Sequence, residues 1–521
     1  MQPKHSPGDL GQNARAGCGL GMGDPRPQPV WSLWELVVCF VAVWLFFLCG
    51  KAFSLSDPYY WDELACYFGQ TLELAERPLD YLRSRPAYIR APFFTAVLAA
   101  FRHVVGPSRE AVRVFVLTAA ALAPVSAYAL CRQLFGSRKI AGWAAVLCAV
   151  TPACFAQSSL VLMDLPATGL SVLAFVGLLR GHMWVYGVLG GMAILTKEST
   201  YYIALPAALL LLARRSEAGV QGSWKTWTLW RTWLCLWPAA VPGFVLFLWL
   251  LVHRYFTGSM IAADHTAALG LSGLVQALQH NVVEGGRLPL SVCALLFLWK
   301  SRALCEASSR ADVWATGLVW GLLPFAFPGV LPRYMLPSLP ALCALGALCF
   351  AGLPKRRAVA FGAFVLAGLA WGYVPNSFHA NPPFEIEQNL AYRDLLAEQV
   401  RVARYVAKQR PSLVVAEFPM WNAMAARPEY GYLERPLYVR NLNTILQPAD
   451  LCSAAFVVTS EGGTAAKIAL VKEAERQGVV SLEWVAAGPD FPIGQGRFLP
   501  KHARFDHTLR VYRTNPHACP H

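Results

Sequence analysis

The sequence predicts a mainly α-helical membrane protein that crosses the bilayer many times and ends in a small α/β domain. Of its 521 residues, 56% are hydrophobic and only 15% are charged, whereas soluble domains carry about 25% charged residues. Apolar runs recur between residues 31 and 374, and charged residues become frequent only beyond them. This composition excludes a disordered chain and argues against a soluble multidomain enzyme.

The chain begins with a segment that is unlike the rest. Residues 1–30 are rich in Gly, Pro and Gln and show no periodicity, so we expect a disordered cytoplasmic arm. The apolar run at 31–53 that follows is about long enough to cross a bilayer. No small-residue cleavage site follows this run, which favours a retained first helix over a secretory signal peptide.

Further apolar runs predict about eleven spans in total, since a full span takes roughly 20 residues and polar flanks can complete the shorter runs. We place them near residues 111–130, 140–155, 161–179, 183–196, 201–213, 233–252, 288–299, 313–330, 335–353 and 359–374. The transmembrane domain is therefore expected to cover residues 31–374.

Positive charge alternates between successive loops, and this predicts the orientation. The basic loops contain Arg132, Arg138, Lys139, Arg180, Arg214, Arg215, Lys225, Arg231, Lys300, Arg302, Arg310, Lys355, Arg356 and Arg357. Because short cytoplasmic loops collect Lys and Arg, the outer loops 54–110 and 253–287 and the chain after residue 374 are expected outside the cytoplasm. The same alternation explains much of the net charge of +14 without nucleic-acid binding.

The C-terminal part, residues 375–521, alternates strand and helix signals and predicts an extracytoplasmic α/β domain. Strands are expected at 413–418, 455–459, 482–487 and 508–512, with a helix at 464–477. Most of the 14 cysteines lie in apolar stretches and are expected to be buried. Cys452 and Cys519 are candidates for a disulfide in this domain, although sequence alone does not give the pairing.

Ionisable residues cluster near the predicted outer ends of the spans. Asp62 and Glu63 open the first outer loop, where helix capping is the alternative to a catalytic role. Asp164 is separated from Arg180 by apolar residues spanning roughly 22 Å of helix, which places it in the outer third of the membrane. A carboxylate at that depth needs a partner, so function is the default hypothesis.

Four more helix ends bring charged or aromatic residues to the same face. They contribute Arg90, the pair Lys197 and Glu198, the pair His253 and Arg254, and the pair Arg333 and Tyr334. Lys197 and Glu198 could pair with each other or with Asp164. Cations of this kind suit the phosphate of a lipid headgroup, and one carboxylate could accept the proton of an attacking hydroxyl.

Six short motifs carry a resemblance to a known family. They are WDELACYFGQ, RAPFFTAVLAAFRHVVGPSREAVR, MDLPATGL, GMAILTKESTYYIALP, RYFTGSM and RYMLPSLPAL. In their order and topology they resemble the GT-C superfamily of membrane glycosyltransferases. The nearest branch contains the protein O-mannosyltransferases and the lipid A aminoarabinose transferases (the PMT-type, RgtA-like fold). The resemblance covers roughly residues 31 to 375.

The resemblance implies a fold and a set of roles. It implies a GT-C type helix bundle with Asp62 as the catalytic base. It implies substrate-binding roles for Glu63, Arg90, Asp164, Lys197, His253, Arg333 and Tyr334, with Lys197, Arg333 and Arg90 at the donor phosphate. The chain departs from the family at Arg90–Ala91–Pro92, where members often have Lys or His followed by two prolines. No cofactor is assigned; a divalent metal stays open, although no clear ligand spacing is present.

The resemblance further implies an inverting glycosyltransferase that uses a polyprenyl-phosphate sugar. Members act on a lipid, glycan or protein acceptor at the outer face of a bacterial membrane or in the ER lumen. The short inner loops and compact size favour a bacterial inner membrane, and membrane lipids but no nucleic acid are expected as further partners. The alternative is a transporter or flippase for a lipid-linked sugar. Transporters usually show internal repeats and charges near the midplane, whereas this chain shows no repeat and its charges lie toward one face.

Overall fold

Apolar stretches of this chain form helices, because a backbone in hydrocarbon must satisfy its own hydrogen bonds. The computed structural model describes residues 32–78, 91–217, 229–258, 271–283, 286–304, 310–326, 332–351, 353–373, 390, 392–460, 465–486 and 509–519. The predicted arm at 1–30 lies outside these ranges.

The first part of the chain is mainly helical. Its α-helices are α1 (Leu33–Lys51), α2 (Phe68–Glu76), α3 (Phe93–Val105), α4 (Arg109–Ala120), α5 (Leu122–Phe135), α6 (Arg138–Val150), α7 (Pro152–Gln157), α8 (Asp164–Leu179), α9 (Met183–Thr196), α10 (Ala204–Glu217), α11 (Leu229–Thr257), α12 (Leu271–Val282), α13 (Leu288–Leu304), α14 (Arg310–Gly321), α15 (Leu323–Ala326), α16 (Leu339–Ala351) and α17 (Lys355–Tyr373). Short 3₁₀ helices cover Ala52–Ser54, Glu198–Ile203 and Pro332–Ser338, and a π-helix covers Glu63–Tyr67.

Several of these helices have the length and composition of membrane spans. Within the described ranges, full-length candidates are Leu33–Ser54, Arg109–Phe135 and Trp237–Phe256. Shorter apolar helices cover Phe93–Val105, Asp164–Leu179, Met183–Thr196 and Leu288–Trp299. Large apolar side chains such as Trp34, Trp143 and Phe247 face outward, as expected where lipid replaces water. The protein is thus an integral membrane protein, while the number of about eleven spans stays a prediction.

Close helix packing builds the core of the bundle. A Cβ atom added at Gly169 of α8 would lie 2.7 Å from the backbone carbonyl carbon of Leu122 in α5. A Cβ atom at Gly177, near the other end of α8, would lie 2.8 Å from Val185 of α9. Small residues therefore let α8 approach both neighbours, as is common between membrane helices.

The two ends of α1 make different contacts through charged residues. Near the start of α1, Glu35 accepts hydrogen bonds from Arg132 (Nε, 3.1 Å) and Arg138 (Nη2, 2.7 Å), which come from a loop predicted to be cytoplasmic. At the other end of α1, roughly 24 Å away along the helix, the buried Lys51 donates to the Ala156 carbonyl (3.1 Å). The loop that carries Asp62 follows this second end.

The C-terminal part contains a five-stranded sheet. Its elements are α18 (Tyr392–Lys408), β1 (Val414–Ala416), α19 (Met420–Ala425), β2 (Val439–Asn441), β3 (Phe456–Ser460), α20 (Ala465–Arg476), β4 (Val480–Ala486) and β5 (Leu509–Thr514). The strand order is β2-β1-β3-β5-β4, with β1 parallel to both β2 and β3, and β5 antiparallel to both β3 and β4. The four predicted strands and the helix at 464–477 are present, whereas α18 and β2 were not predicted.

The sheet packs directly on the first outer loop. Tyr59, Leu64 and Phe68 of the loop share one buried cluster with Val414 and Val511 of the sheet. Polar contacts cross the same junction: Arg393 pairs with Asp57 (2.7 Å), and Tyr432 donates its hydroxyl to the Tyr59 carbonyl (2.9 Å). The sheet therefore lies at the end of the bundle where Asp62 is found.

A disulfide closes the sheet region. Cys452 and Cys519 are bonded, with their Cα atoms 5.6 Å apart. The bond joins the segment before β3 to the segment after β5, so it fixes the C-terminal segment against the sheet. The pairing that the sequence left open is present.

The close approach of α8 to α5 gives a first testable prediction. Gly169→Val should lower the free energy of unfolding of the purified protein by about 1–3 kcal/mol, because the new side chain must displace α5. Gly142→Val is the matched control, since a Cβ atom there meets nothing within 4 Å. Melting of the two variants in the same detergent is the measurement, and equal melting would contradict the close packing of α8 on α5.

Candidate active site

Asp62 and Glu63 are adjacent in the chain but have different surroundings. Before them, Trp61 has a positive φ of 39°, which costs a residue with a side chain about 1–2 kcal/mol. Hydrogen bonds hold this turn, from Leu64 N to the Trp61 carbonyl (3.0 Å) and from Glu63 N to the Tyr60 carbonyl (2.8 Å). The Glu63 side chain is buried, whereas the Asp62 side chain keeps 18% of its surface exposed.

Glu63 binds protein groups on all sides. Its carboxylate accepts hydrogen bonds from the backbone N–H groups of Tyr60 (2.6 Å) and Val161 (2.6 Å) and from Arg113 Nη1 (2.8 Å). The buried Arg113 also donates to the carbonyls of Pro58 (2.9 Å) and Ser159. The pair thus joins the outer loop to α4 and to the turn before α8, which favours a supporting role for Glu63 over direct substrate contact.

Asp164 and Lys197 form a second buried pair. Asp164 is the first residue of α8 and Lys197 follows the last residue of α9, so the packing of these two helices brings the groups together. The Lys197 ammonium group donates to Asp164, which is fully buried. The same ammonium group lies 3.7 Å from the ring centroid of Tyr334, at the distance of a strong cation–π contact.

Arg333 completes the arrangement and reaches Asp62. It lies on the 3₁₀ helix Pro332–Ser338, is buried, and forms an ion pair with Asp62. Its guanidinium carbon lies 5.8 Å from the Tyr334 ring centroid. Asp62, Arg333, Tyr334, Lys197 and Asp164 therefore form one continuous chain of contacts, which we call the outer charge cluster. It contains two acids and two cations.

Neighbouring elements fix the 3₁₀ helix that carries Arg333. The Tyr202 hydroxyl donates to the Pro337 carbonyl (3.1 Å), and the Ser338 hydroxyl donates to Asn281 Oδ1 (2.6 Å). Burial and hydrogen bonds on both sides hold the backbone that positions Arg333 and Tyr334, so the cations of the cluster are preorganised.

Of the remaining residues predicted to bind substrate, only His253 falls within the described ranges. His253 is buried on α11 with its ring 6.1 Å from that of Trp249, and Trp249 packs with Ala91 and Leu195. Glu198 accepts a hydrogen bond from the Ala91 backbone N–H (2.9 Å). Arg90 precedes Ala91 and lies outside the described residues, so its role at the donor phosphate stays a prediction.

The described residues of the outer charge cluster do not fit a divalent metal. Asp164 pairs with the Lys197 ammonium group, and a positive partner opposes a second cation. Within the ranges that the structure describes, no three His, Cys, Asp or Glu side chains are grouped as metal ligands. We therefore assign no step of the chemistry to a metal.

Sequence reasoning did not foresee the role of Arg113. In the sequence this residue is only the end of a motif, yet in the fold it is the buried partner of Glu63. A detectable signal was its position: an arginine in an otherwise apolar span is costly and needs an acidic partner. The identity of that partner depends on how α4 packs against the outer loop.

The buried Glu63–Arg113 pair gives a prediction that separates structure from chemistry. Glu63→Ala should destabilise the protein by about 3–5 kcal/mol, because it leaves the Arg113 charge buried without its partner. Asp62→Asn should lower the melting temperature less, since Asp62 is partly exposed and an asparagine side chain can still accept a hydrogen bond from Arg333. Thermal unfolding in detergent measures both, and a stable Glu63→Ala variant would contradict the structural role.

A family model described as dolichyl-phosphate-mannose-protein mannosyltransferase matches residues 89–242, a region that contains Asp164 and Lys197. Asp62 and Arg333 lie outside this matched region. By sequence alone, the chain matches none of the curated proteins.

Solved structures extend the likeness along the chain. The crystal structure of ArnT from Cupriavidus metallidurans bound to undecaprenyl phosphate is 16% identical and has a TM-score of 0.57, covering 94% of this chain and all of that one. The apo form of ArnT from the same organism is 17% identical with a TM-score of 0.57, covering 93% and 99%. The matched family region and the shared fold together confirm the resemblance to the PMT- and ArnT-like branch of the GT-C membrane glycosyltransferases.

Proposed function

We propose that this protein is an inverting glycosyltransferase that moves a sugar from a polyprenyl-phosphate donor to an acceptor on the outer face of the membrane. The observation that carries the proposal is the outer charge cluster, which joins one partly exposed carboxylate to two buried cations. The cluster lies in a chain with the fold of ArnT, a protein whose crystal structure contains bound undecaprenyl phosphate.

Lys197 and Arg333 hold the donor phosphate in this proposal. Both side chains are at least nine-tenths buried, and charge interactions with a phosphate are stronger where water is excluded. Arg333 offers a planar fork of donors and Lys197 a compact charge. As the bond between sugar and phosphate breaks, the leaving phosphate gains negative charge, which these two cations stabilise.

Asp62 acts as the general base. The acceptor hydroxyl oxygen attacks the anomeric carbon while its proton passes to the Asp62 carboxylate. The bond from the anomeric carbon to the phosphate oxygen breaks, and the electron pair leaves with the lipid phosphate. Glu63 is not suited to this role, because its carboxylate already accepts four hydrogen bonds from protein donors, two of them from Arg113.

The ion pair between Asp62 and Arg333 links donor binding to base activation. Without a donor, the base and one phosphate-binding cation neutralise each other. A donor phosphate competes with Asp62 for Arg333 and so releases the carboxylate for proton transfer. The base is therefore free when a donor is bound, which favours binding of the donor before the acceptor.

The first functional prediction concerns Asp62 itself. Asp62→Asn should lower sugar transfer by about 10²- to 10⁴-fold, as expected for loss of a general base. Glu76→Gln is the matched control, because Glu76 lies in the same outer loop but pairs with Arg427 at the surface. Coupled formation of lipid phosphate and glycosylated product is the measurement. Full activity of Asp62→Asn would reject the proposed base, and lipid movement without product would favour the transporter.

The second functional prediction concerns lipid-phosphate affinity. Arg333→Ala should weaken binding of undecaprenyl phosphate about tenfold to hundredfold, since one charged hydrogen bond contributes about 1.5–3 kcal/mol. The double variant Lys197→Met with Asp164→Asn should weaken it similarly and leaves no buried charge unpaired. Asp62→Asn should instead bind the lipid more tightly than the native protein, because it removes the competitor for Arg333.

Direct binding titrations on detergent-solubilised protein check this prediction. Unchanged affinity in both cation variants would contradict the assignment of Lys197 and Arg333. Weaker binding by Asp62→Asn would contradict the competition between the carboxylate and the lipid phosphate.

We propose that the protein lies in a bacterial inner membrane. The outer charge cluster and the C-terminal part then lie on the side away from the cytoplasm. The Cys452–Cys519 disulfide supports this orientation, since disulfides persist outside the cytoplasm. On intact spheroplasts, a membrane-impermeant maleimide should label both cysteines only after reduction. Mass spectrometry measures the labelling, and free thiols at these two positions before reduction would contradict the orientation.

A further inference from the structure

The C-terminal part contacts each residue of the segment that leads to Asp62. We call this segment, residues 57–61, the approach segment. Its contacts with the C-terminal part pair Asp57 with Arg393, Pro58 with Gly431, Tyr59 with Tyr432, Tyr60 with Tyr392 and Trp61 with Phe418. From the other side, Arg113 of the bundle donates to the Pro58 carbonyl (2.9 Å). The approach segment is therefore held between the bundle and the C-terminal part.

Both polar backbone groups of Tyr59 bond to the C-terminal part. The Tyr59 N–H donates to the Tyr430 carbonyl (3.1 Å), and the Tyr59 carbonyl accepts from the Tyr432 hydroxyl (2.9 Å). The Tyr59 ring stacks on Phe68 with ring centroids 4.1 Å apart, and Tyr430 packs edge-on against both rings. All four side chains are buried, where hydrogen bonds are stronger than in water. Residues 430–432, which we call the docking segment, thus fix the backbone three residues before Asp62.

Gly431, in the middle of the docking segment, permits its close approach to the loop. Its φ of 91° lies in the left-handed region that favours glycine. A Cβ atom at Gly431 would overlap the Arg109 guanidinium group and lie 3.2 Å from Cα of Pro58. The Arg109 side chain can move, but the Pro58 backbone is held by Arg113. Any side chain at position 431 would therefore push the docking segment away from the approach segment.

Phe418 supports the turn immediately before Asp62. It lies between β1 and α19 and packs edge-on against Trp61, with ring centroids 4.7 Å apart. Trp61 has a positive φ of 39°, which is costly for a residue with a side chain. Such a conformation persists only where the surrounding structure fixes it. The ring of Phe418 is one of the groups that fix it, and this turn determines where Asp62 lies.

The support from the C-terminal part matters most when a donor is bound. In the donor-free chain, Asp62 is also held by its ion pair with Arg333. In the proposed function the donor phosphate takes Arg333, so Asp62 loses this partner when it must accept a proton. Its position then depends on the backbone turn at Trp61. A misplacement of about 1 Å can lower a rate about 100-fold.

We propose that Phe418 and the docking segment are positioning residues, which hold Asp62 in place after a donor has taken Arg333. The proposal rests on the glycosyltransferase function proposed above. It gives the C-terminal part a role in the rate of sugar transfer and none in the binding of the donor.

Hydrogen exchange, measured by mass spectrometry on the full-length protein in detergent, tests whether the docking segment holds the loop. Gly431→Ala should raise exchange at least fivefold in peptides that cover residues 57–64. Gly478→Ala is the matched control, because Gly478 also has a positive φ of 72°, yet a Cβ atom there meets nothing within 4 Å. Both variants carry the same kind of backbone strain. Equal exchange in the two would overturn the role of the docking segment.

Steady-state kinetics with a labelled polyprenyl-phosphate sugar test the effect on the rate. Phe418→Ala should lower kcat at least tenfold, while undecaprenyl phosphate binds as tightly as to the native protein or more tightly. Phe418→Tyr should restore kcat to within threefold of the native value, because it keeps a ring against Trp61. Gly431→Ala should lower kcat at least fivefold, and Gly478→Ala less than twofold. Native kcat in both Phe418→Ala and Gly431→Ala would overturn the proposal.

A double-mutant cycle separates positioning of the base from a general loss of structure. Phe418→Ala should lower the residual transfer of the Asp62→Asn variant less than twofold, since no base remains to be misplaced. Equal losses in both backgrounds, or lipid binding that weakens in step with transfer, would also overturn the proposal. Absence of sugar transfer by the native protein would instead contradict the proposed function. Hydrogen exchange would still show in that case whether the docking segment holds the loop.

Discussion

The buried pair of Glu63 and Arg113 is the interaction on which the outer end of the molecule depends. It fixes the loop after α1 to α4 and to the turn before α8. A carboxylate and a guanidinium group are tolerated in such surroundings only because each also bonds to backbone groups of the protein. The neighbouring Asp62 can be chemically available because Glu63 performs the structural task. In the proposed function, the two adjacent acids thus divide into a structural anchor, Glu63, and a base, Asp62.

The two acids of the outer charge cluster balance the charges of its two cations. Two cations buried near hydrocarbon would be costly alone, and two acids satisfy them in the donor-free chain. The two acids differ in exposure. Asp62 is partly exposed and can be displaced from Arg333, whereas Asp164 is fully buried. A phosphate that enters can therefore replace one acid while the other keeps Lys197 in place. The ring of Tyr334 contacts both cations, with Lys197 Nζ 3.7 Å and the Arg333 guanidinium carbon 5.8 Å from its centroid.

Much of the fold follows from local sequence patterns, and the rest depends on packing. Apolar runs predicted the membrane helices, and short strand-like runs predicted β1, β3, β4 and β5. The short, half-exposed β2 (Val439–Asn441) gave no such pattern because its pairing with β1 defines it. The amphipathic α18 was missed because its many charged residues obscure the apolar stripe that it buries.

In the site, too, some features follow from local sequence, whereas others depend on contacts between residues far apart in the chain. Position at helix ends pointed to Asp62, Lys197 and Arg333. Lys197 and Asp164 were recognised as possible partners because adjacent spans carry them. The pair of Asp62 and Arg333 joins residues 271 positions apart, and no local pattern encodes such a contact. What positions Arg333 is the packing of its 3₁₀ helix against α12 and the segment that carries Tyr202. In the proposed function, reactivity at Asp62 therefore requires both a membrane helix bundle that presents the cation and an outer loop held by the sheet, because a misplacement of about 1 Å can lower a rate about 100-fold.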